Sequence, residues 1–524
     1  MSDSKRSRST GGPPAKRRKA DSGTQADDDI PTPQSQPTAP STSTFSVRTL
    51  HSGTDRVPSL SAICARTFAN NLQKLSSDPE LWEDVKYSLK NFPDALVQKV
   101  FAVLKQACPA LLNHALIAPY LLRGTSIALS DDLPGVSRPT IFAIGDMPSK
   151  ENLRELELTG FANITDKVFA SVIAKLPSLR KLNLRGCFKV GTDTATAAAN
   201  HCPHLEVVNF NYTAVSPASM APLVFKCTRL EVLKVAGIAS WTDGACYRLW
   251  GAFGTKQDFH LPNLRSLKLR QAPLSDSPVN TILEACPNLR RLDLSFTLIK
   301  NLVLPSNKLL EKLVLTSTMV PSDKIVSLVS GLSKLKVLSL GAMGGNDFST
   351  AATSSALSGT TITDKPLRAL TGALEGCPDL ERVSLVWNTR IGYNAAAGSD
   401  AALSCFIRRV GRRCKRLNLS GLLHLRPSNL EGLARPDGPD EGPPQLEYLN
   451  LNNTPVDDMA VPYISSCVNL RVLEAAGTKI TKVGLFHILD GCANLEKLDL
   501  TSCRGVKVGE RRRFFEVWEE GKNG

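Results

Sequence analysis

The chain is short of the residues that build metal sites, disulfide frameworks and active centres. Its 524 residues contain 13 cysteines with no Cys-x-x-Cys pair, seven histidines, and only 6% aromatic residues. An odd number of widely spaced cysteines gives neither a disulfide framework nor a zinc module. The thiols are therefore expected as compact apolar residues in a buried ladder. The histidines are scattered, none stands in His-Glu-x-x-His, and there is no Walker-type phosphate loop and no Gly-x-Ser-x-Gly. Neither enzymatic activity nor a cofactor is expected. Long apolar runs are also missing: 110–118, interrupted by Asn113 and His114, falls well short of the roughly 20 residues that span a bilayer. The first residues are charged and polar, so no secretory signal is expected. The chain reads as soluble and intracellular, without a membrane partner.

Acidic residues are in deficit too, with 49 Asp and Glu against 63 Lys and Arg, a formal charge of +14. Residues 1–57 hold nine Lys/Arg and six Asp, so most of the excess belongs to the rest of the chain. A basic folded body favours acidic partners. Residues 1–56 are dominated by Ser, Thr, Pro, Gly and charge, cannot bury enough surface to offset their ordering entropy, and are expected to be disordered. They contain Lys5 and Arg6, a flexible spacer, then Lys16, Arg17, Arg18 and Lys19. Two such clusters resemble a bipartite nuclear localisation signal, which implies the nucleus. The plainer alternative is a solvated charge run or a non-specific nucleic-acid arm.

What the chain has in quantity is one recurring frame, L-x-x-L-x-L. It runs from Leu153/Leu156/Leu158 to Leu495/Leu498/Leu500, thirteen matches in all, mostly 24 to 26 residues apart. That period lies inside the ~20–29 residues of a leucine-rich repeat. The alternating L-x-L is a short strand with inward leucines, and segments such as 166–175 and 482–489 have the length of helices that cover the same core. Cys202, Cys227, Cys286, Cys377, Cys467 and Cys492 precede the triplets, and elements such as Ile164-Thr165-Asp166 and Ile362-Thr363-Asp364 follow them. The Thr, Ser and Asp of these elements are expected to cap the helix that comes next. His201-Cys202-Pro203-His204 fills the same slot as Cys286-Pro287-Asn288, which argues against a metal site there.

These motifs resemble the cysteine-containing, ribonuclease-inhibitor-like repeats of ubiquitin-ligase receptors. The resemblance implies an α/β fold, a right-handed leucine-rich-repeat solenoid (horseshoe) over 131–509. Before it come the tail (1–56) and a helical segment (57–130); a capping helix (510–524) carrying Phe514, Phe515 and Trp518 closes the chain. Insertions at 342–361 and 387–400, the second holding Trp387, are expected on one rim, where binding loops lie.

Residues 57–130 are apolar and do not repeat. Leu60, Cys64 and Phe68 stand at i, i+4 and i+8 after Ser59, one apolar stripe. The stripe resembles the BC-box helix that inserts Leu and Cys into elongin C. Downstream, Phe92, Pro93 and Leu96 resemble either the cullin-contact helix that follows a BC box or the opening of an F-box that binds a Skp-type adaptor. A plain core helix capping the solenoid is the third reading.

The layout is similar to fungal leucine-rich-repeat proteins that join elongin C in nucleotide-excision repair. It implies the substrate-recognition subunit of a cullin-RING ubiquitin ligase; the alternative is a nuclear scaffold in DNA repair or chromatin. On the concave strands, the positions flanking the inward leucines include Lys181, Arg185, Lys234, Lys268, Arg270, Arg291 and Lys312, opposed across repeats two to seven only by Asp293. Together with Trp387 they are the expected target-binding residues. An acidic or phosphorylated protein target is the first choice of ligand and nucleic acid the second.

Overall fold

Alternating leucines dictate the architecture of the computed structural model, which describes residues 47–49, 59–251, 259–304, 309–343, 361–393, 401–434 and 442–523. Pro40–Gly524 form one unit. Lys5, Arg6, Lys16, Arg17, Arg18 and Lys19, expected to form a nuclear localisation signal, and most of the two insertions expected on the rim lie outside the described residues.

Each triplet forms one strand of a single sheet. The strands are β3 (Glu155–Thr159), β4 (Lys181–Asn183), β5 (Val207–Asn209), β6 (Val232–Lys234), β7 (Ser266–Lys268), β8 (Arg291–Asp293) and β9 (Lys312–Val314). The run continues with β10 (Val337–Ser339), β11 (Arg382–Ser384), β12 (Arg416–Asn418), β13 (Tyr448–Asn450), β14 (Val472–Glu474) and β15 (Lys497–Asp499). Two more strands flank them, β1 (Val47–Thr49) and β2 (Ser126–Ser130), and the order is sequential from β2 to β15 with β1 beyond β15. All pairings from β2 to β15 are parallel and in register, so equivalent residues stack in columns. β2 lies inside the segment expected to be helical. Its inward residues are Ile127 and Leu129, but Gly124 stands where the leading leucine would be, so the frame did not reveal it.

The inward leucines and the helix faces opposite them form one continuous core. Helices follow most strands, for example Asp166–Ile173 after β3 and Lys482–Gly491 after β14. Among the described residues none separates β8 from β9; there the Asn280 side chain holds the Asn301 carbonyl and the Val303 amide. The expected threonine and serine caps are mostly absent: Thr165, Ser275 and Thr363 make no side-chain cap bond. The aspartate beside them reaches into the next repeat instead. Asp166 accepts the amides of Gly191, Asp193 and Thr194 at 2.8 to 3.1 Å, and Asp276 those of Lys300 and Asn301. A charged carboxylate thereby satisfies the orphan donors at the start of the following repeat.

The slot cysteines are all buried. Cys202 Sγ donates to the Leu176 carbonyl of the preceding repeat at 3.3 Å and Cys492 Sγ to that of Cys467. Burial pushes both thiols up to about 12.

The two ends of the repeat run are covered, as an unpaired edge of the solenoid would otherwise recruit foreign strands. β1 pairs antiparallel with β15, and the C-terminal helix Val508–Asn523 buries Phe514, Phe515 and Trp518. At the other edge lie α1 (Leu60–Ser77), α2 (Pro79–Asn91) and α3 (Asp94–Ala107). Gln98 and Lys105 of α3 donate to the carbonyls of Ser126 and Ala128 on β2 at 3.0 and 2.8 Å. Burial holds the Lys105 ammonium below its ordinary range, partly offset by Glu157.

Candidate adaptor and target surfaces

The helix α1 begins where Ser59 Oγ accepts the Ala62 amide at 3.3 Å. Its inward face, Ala65, Ala69 and Leu72, is buried. The opposite face is not: Leu60 is 77% exposed, Ile63 43%, and Cys64 is exposed as well. The apolar stripe therefore divides. Leu60 and Cys64 face solvent, whereas Phe68 is partly buried against the core. Ile63, one turn after Leu60 on the same face, was not singled out in the sequence because it lies off the i, i+4 spacing. Leu81 and Tyr87 of α2 are also exposed.

Phe92, Pro93 and Leu96 are differently placed. Phe92 packs against the core, and its carbonyl accepts Arg123 Nη2 at 2.9 Å. Pro93 is exposed at the N-cap of α3, and Leu96 is half-buried. The inward face of α3 is Val97, Val100, Phe101 and Leu104.

On the helix-free face of the sheet, the outward positions of β4–β9 bring Lys181, Arg185, Lys234, Lys268, Arg270, Arg291 and Lys312 into adjoining columns. They are not equivalent. Arg185 and Arg291 are exposed, Lys181, Lys268, Arg270 and Lys312 are half-buried, and Lys234 is buried. Lys268 lies 3.9 Å from Asp293, and Lys181 lies 3.7 Å from Glu155 on β3. A second cluster lies on β12–β15, beyond the charged positions expected from the sequence. There Glu474 accepts from Tyr448 at 3.0 Å and Asn450 at 2.6 Å, with Lys497 at 3.4 Å. Arg416 stands over the Tyr448 ring at 4.7 Å. Burial, then the Glu474 charge, pushes the Tyr448 hydroxyl well above its usual range.

Trp387 occupies a repeated backbone position. Two residues after the third apolar residue of each triplet the chain turns through positive φ, as at Gly160, Gly186, Gly237, Gly421 and Gly477. Trp387 sits there with φ 57°, as do Tyr212 and Phe296 at 57° and 60°. For bulky side chains this is a genuine outlier. The Trp387 ring lies where a β-carbon on Gly421 would be, and the Tyr212 ring likewise covers Gly237. Glycine is what lets each ring lie down on the next repeat.

The chain matches no protein-family model. It is similar to the putative F-box/LRR-repeat protein 23 of Arabidopsis thaliana, 40% identical over 83 residues, 14% of this chain and 18% of that protein. Antagonist of mitotic exit network protein 1 of Eremothecium gossypii is 32% identical over 152 residues, 27% of this chain and 36% of that one. The chain thus spans well under half of the length of these two relatives. Putative F-box/LRR-repeat protein 9 of Arabidopsis thaliana is 23% identical over 241 residues, 46% of this chain and 80% of that protein. Among solved structures, the Rad7 and Elc1 complex in yeast aligns with TM-score 0.46 at 19% identity over 81% of this chain and 95% of that one. An internalin from Listeria monocytogenes aligns with TM-score 0.38 at 15% identity over 81% and 96%. The chain is a leucine-rich-repeat protein that resembles F-box/LRR-repeat proteins.

Proposed function

We propose that this chain is a non-catalytic substrate receptor of a cullin-RING ubiquitin ligase. In this reading α1 engages an elongin-C-type adaptor, and the basic helix-free face of the solenoid takes an acidic or phosphorylated protein target. The observation that carries the adaptor half is the uncovered face of Leu60, Ile63 and Cys64. A helix serving only as a solenoid cap would turn its apolar side chains inward, yet α1, which packs Phe68 and Leu72 against the core, leaves Leu60 and Ile63 in solvent. The Skp-type alternative is less well supported, because Phe92 is already used in internal packing. The curated relatives named as F-box/LRR-repeat proteins support the receptor class without distinguishing the adaptor.

Replacing Leu60 with Asp and Cys64 with Ser should abolish pull-down of an elongin-C-type adaptor and leave the thermal unfolding midpoint unchanged. Burying Leu60 alone is worth ~1.5–3 kcal/mol, roughly ten- to a hundredfold in affinity. Undiminished pull-down contradicts the reading. Loss only on changing Phe92, Pro93 and Leu96 transfers it to a Skp-type adaptor, and binding of neither adaptor leaves a nuclear scaffold in DNA repair or chromatin. We also propose that the tail directs nuclear import. Alanine at Lys16, Arg17, Arg18 and Lys19 should move a fluorescent fusion into the cytoplasm, and retained nuclear fluorescence rejects this.

A further inference from the structure

The aromatic residues held at positive φ are not spread evenly in their surroundings. Tyr212 follows β5 and Phe296 follows β8, and each lies beside an arginine from the neighbouring strand end. The Arg185 guanidinium stands over the Tyr212 ring at 6.0 Å and that of Arg270 over Phe296 at 5.1 Å. Tyr212 spans two repeats, with its ring on Gly237 and its hydroxyl donating to Gln271 Oε1 at 3.2 Å. Phe296 is 42% exposed. Arg270 Nε is buried and has no hydrogen-bond partner among the described residues. Phe188 (60% exposed) and Leu298 (46%) lie on the same strand-end rim.

Backbone strain in bulky residues persists where something else requires the side chain. Glycine fills five of the equivalent positions, and Gln271, Ser317, Ala342, Asn453 and Ser502 hold the same positive φ, so the turn belongs to the repeat and folding alone does not demand an aromatic there. We propose that Arg185, Tyr212, Arg270 and Phe296 form a docking strip for an acidic protein segment that carries aromatic or aliphatic side chains. The inference deepens the target half of the proposed function and rests on it. Its chemistry is a divided recognition: each guanidinium takes a carboxylate, while the exposed Phe296 ring receives the adjoining apolar side chain. The two rings are three strands apart, about 14 Å at ~4.8 Å per strand, which four residues of extended chain at ~3.4 Å each would span. The net charge of +14 and the cations of β4–β9 supply the complementary field. Single-stranded nucleic acid fits less well. Bases need free ring faces to stack on, and the Tyr212 ring lies on Gly237 and under Arg185.

The test uses the full chain in fluorescence anisotropy. Two labelled glutamate-rich peptides are compared, one with phenylalanines four positions apart and one with serines in their place, with oligothymidylate as competitor. The phenylalanine peptide should bind about tenfold more tightly, roughly the yield of one well-packed aromatic contact. Phe296→Gly should remove that preference, and Arg270→Gln should weaken the binding of both peptides. Phe296→Gly should hold or raise the thermal midpoint, since glycine has no strain at this φ, which separates lost binding from lost folding. Equal binding of both peptides, still weakened by Lys268→Glu with Arg291→Glu, overturns the strip and leaves the basic-face reading standing. Failure of both peptides to bind overturns the two together. Displacement of the phenylalanine peptide by oligothymidylate at lower concentration overturns the strip in favour of nucleic acid.

Discussion

Asp166 shows how a residue chosen for one repeat stabilises the next. Its carboxylate collects three amides at the start of helix Thr192–His201, and Asp458 likewise takes the Thr481 amide and hydroxyl at 2.7 and 2.5 Å. Hydrogen bonds to a charged group contribute ~1.5–3 kcal/mol each at most, and removing the acceptor leaves the donors to find water. Asp166→Ala should lower the urea unfolding midpoint by an amount worth ~1–3 kcal/mol, and Asp166→Asn by clearly less. An unchanged midpoint in the alanine variant means that the amides are satisfied some other way. The motif Ile164-Thr165-Asp166 was legible in sequence, but its direction was not. A cap is read locally, whereas this bond crosses about 25 residues of chain and exists only once two repeats are stacked.

At the level of elements, the regular strands were readable because each triplet carries its own period. The frame leucines from 153 to 500 are all buried, and the second residue of every triplet lies in a strand. What the period could not reveal lies at the ends, where the repeat has no neighbour to copy. β2 lost its leading leucine to Gly124, and α3 took over the closure of its carbonyls with Gln98 and Lys105. β1 was invisible because three residues in a polar tail carry no pattern, yet they cover the edge of β15. The α1 stripe was read as a unit and proved divided, since spacing alone does not say which side of a helix the core will take. The charge columns were half legible. The outward positions followed from alternation, but the partners Glu155 and Asp293, the burial of Lys234 and the Glu474 cluster depended on stacking.

Across the whole unit, one core runs from α1 through the solenoid to the C-terminal helix, so the uncovered α1 face and the basic strand face belong to one body. That continuity suits a receptor, which must hold a target at a set place relative to its adaptor. Cys64 gives direct access to the claim, because it is exposed on the face proposed to take the adaptor while every slot cysteine is buried. Burial pushes Cys202, Cys286, Cys414 and Cys492 up to about 12. At pH 8 only about one in ten thousand of such thiols is ionised, so they stay silent towards iodoacetamide in the folded chain. The decisive measurement is the alkylation rate of Cys64 at pH 8, followed by mass spectrometry with and without an elongin-C-type adaptor. The account predicts rapid labelling of Cys64 alone among the exposed and slot cysteines, and at least tenfold protection when adaptor is present. Labelling of Cys64 at the same rate with saturating adaptor would contradict it.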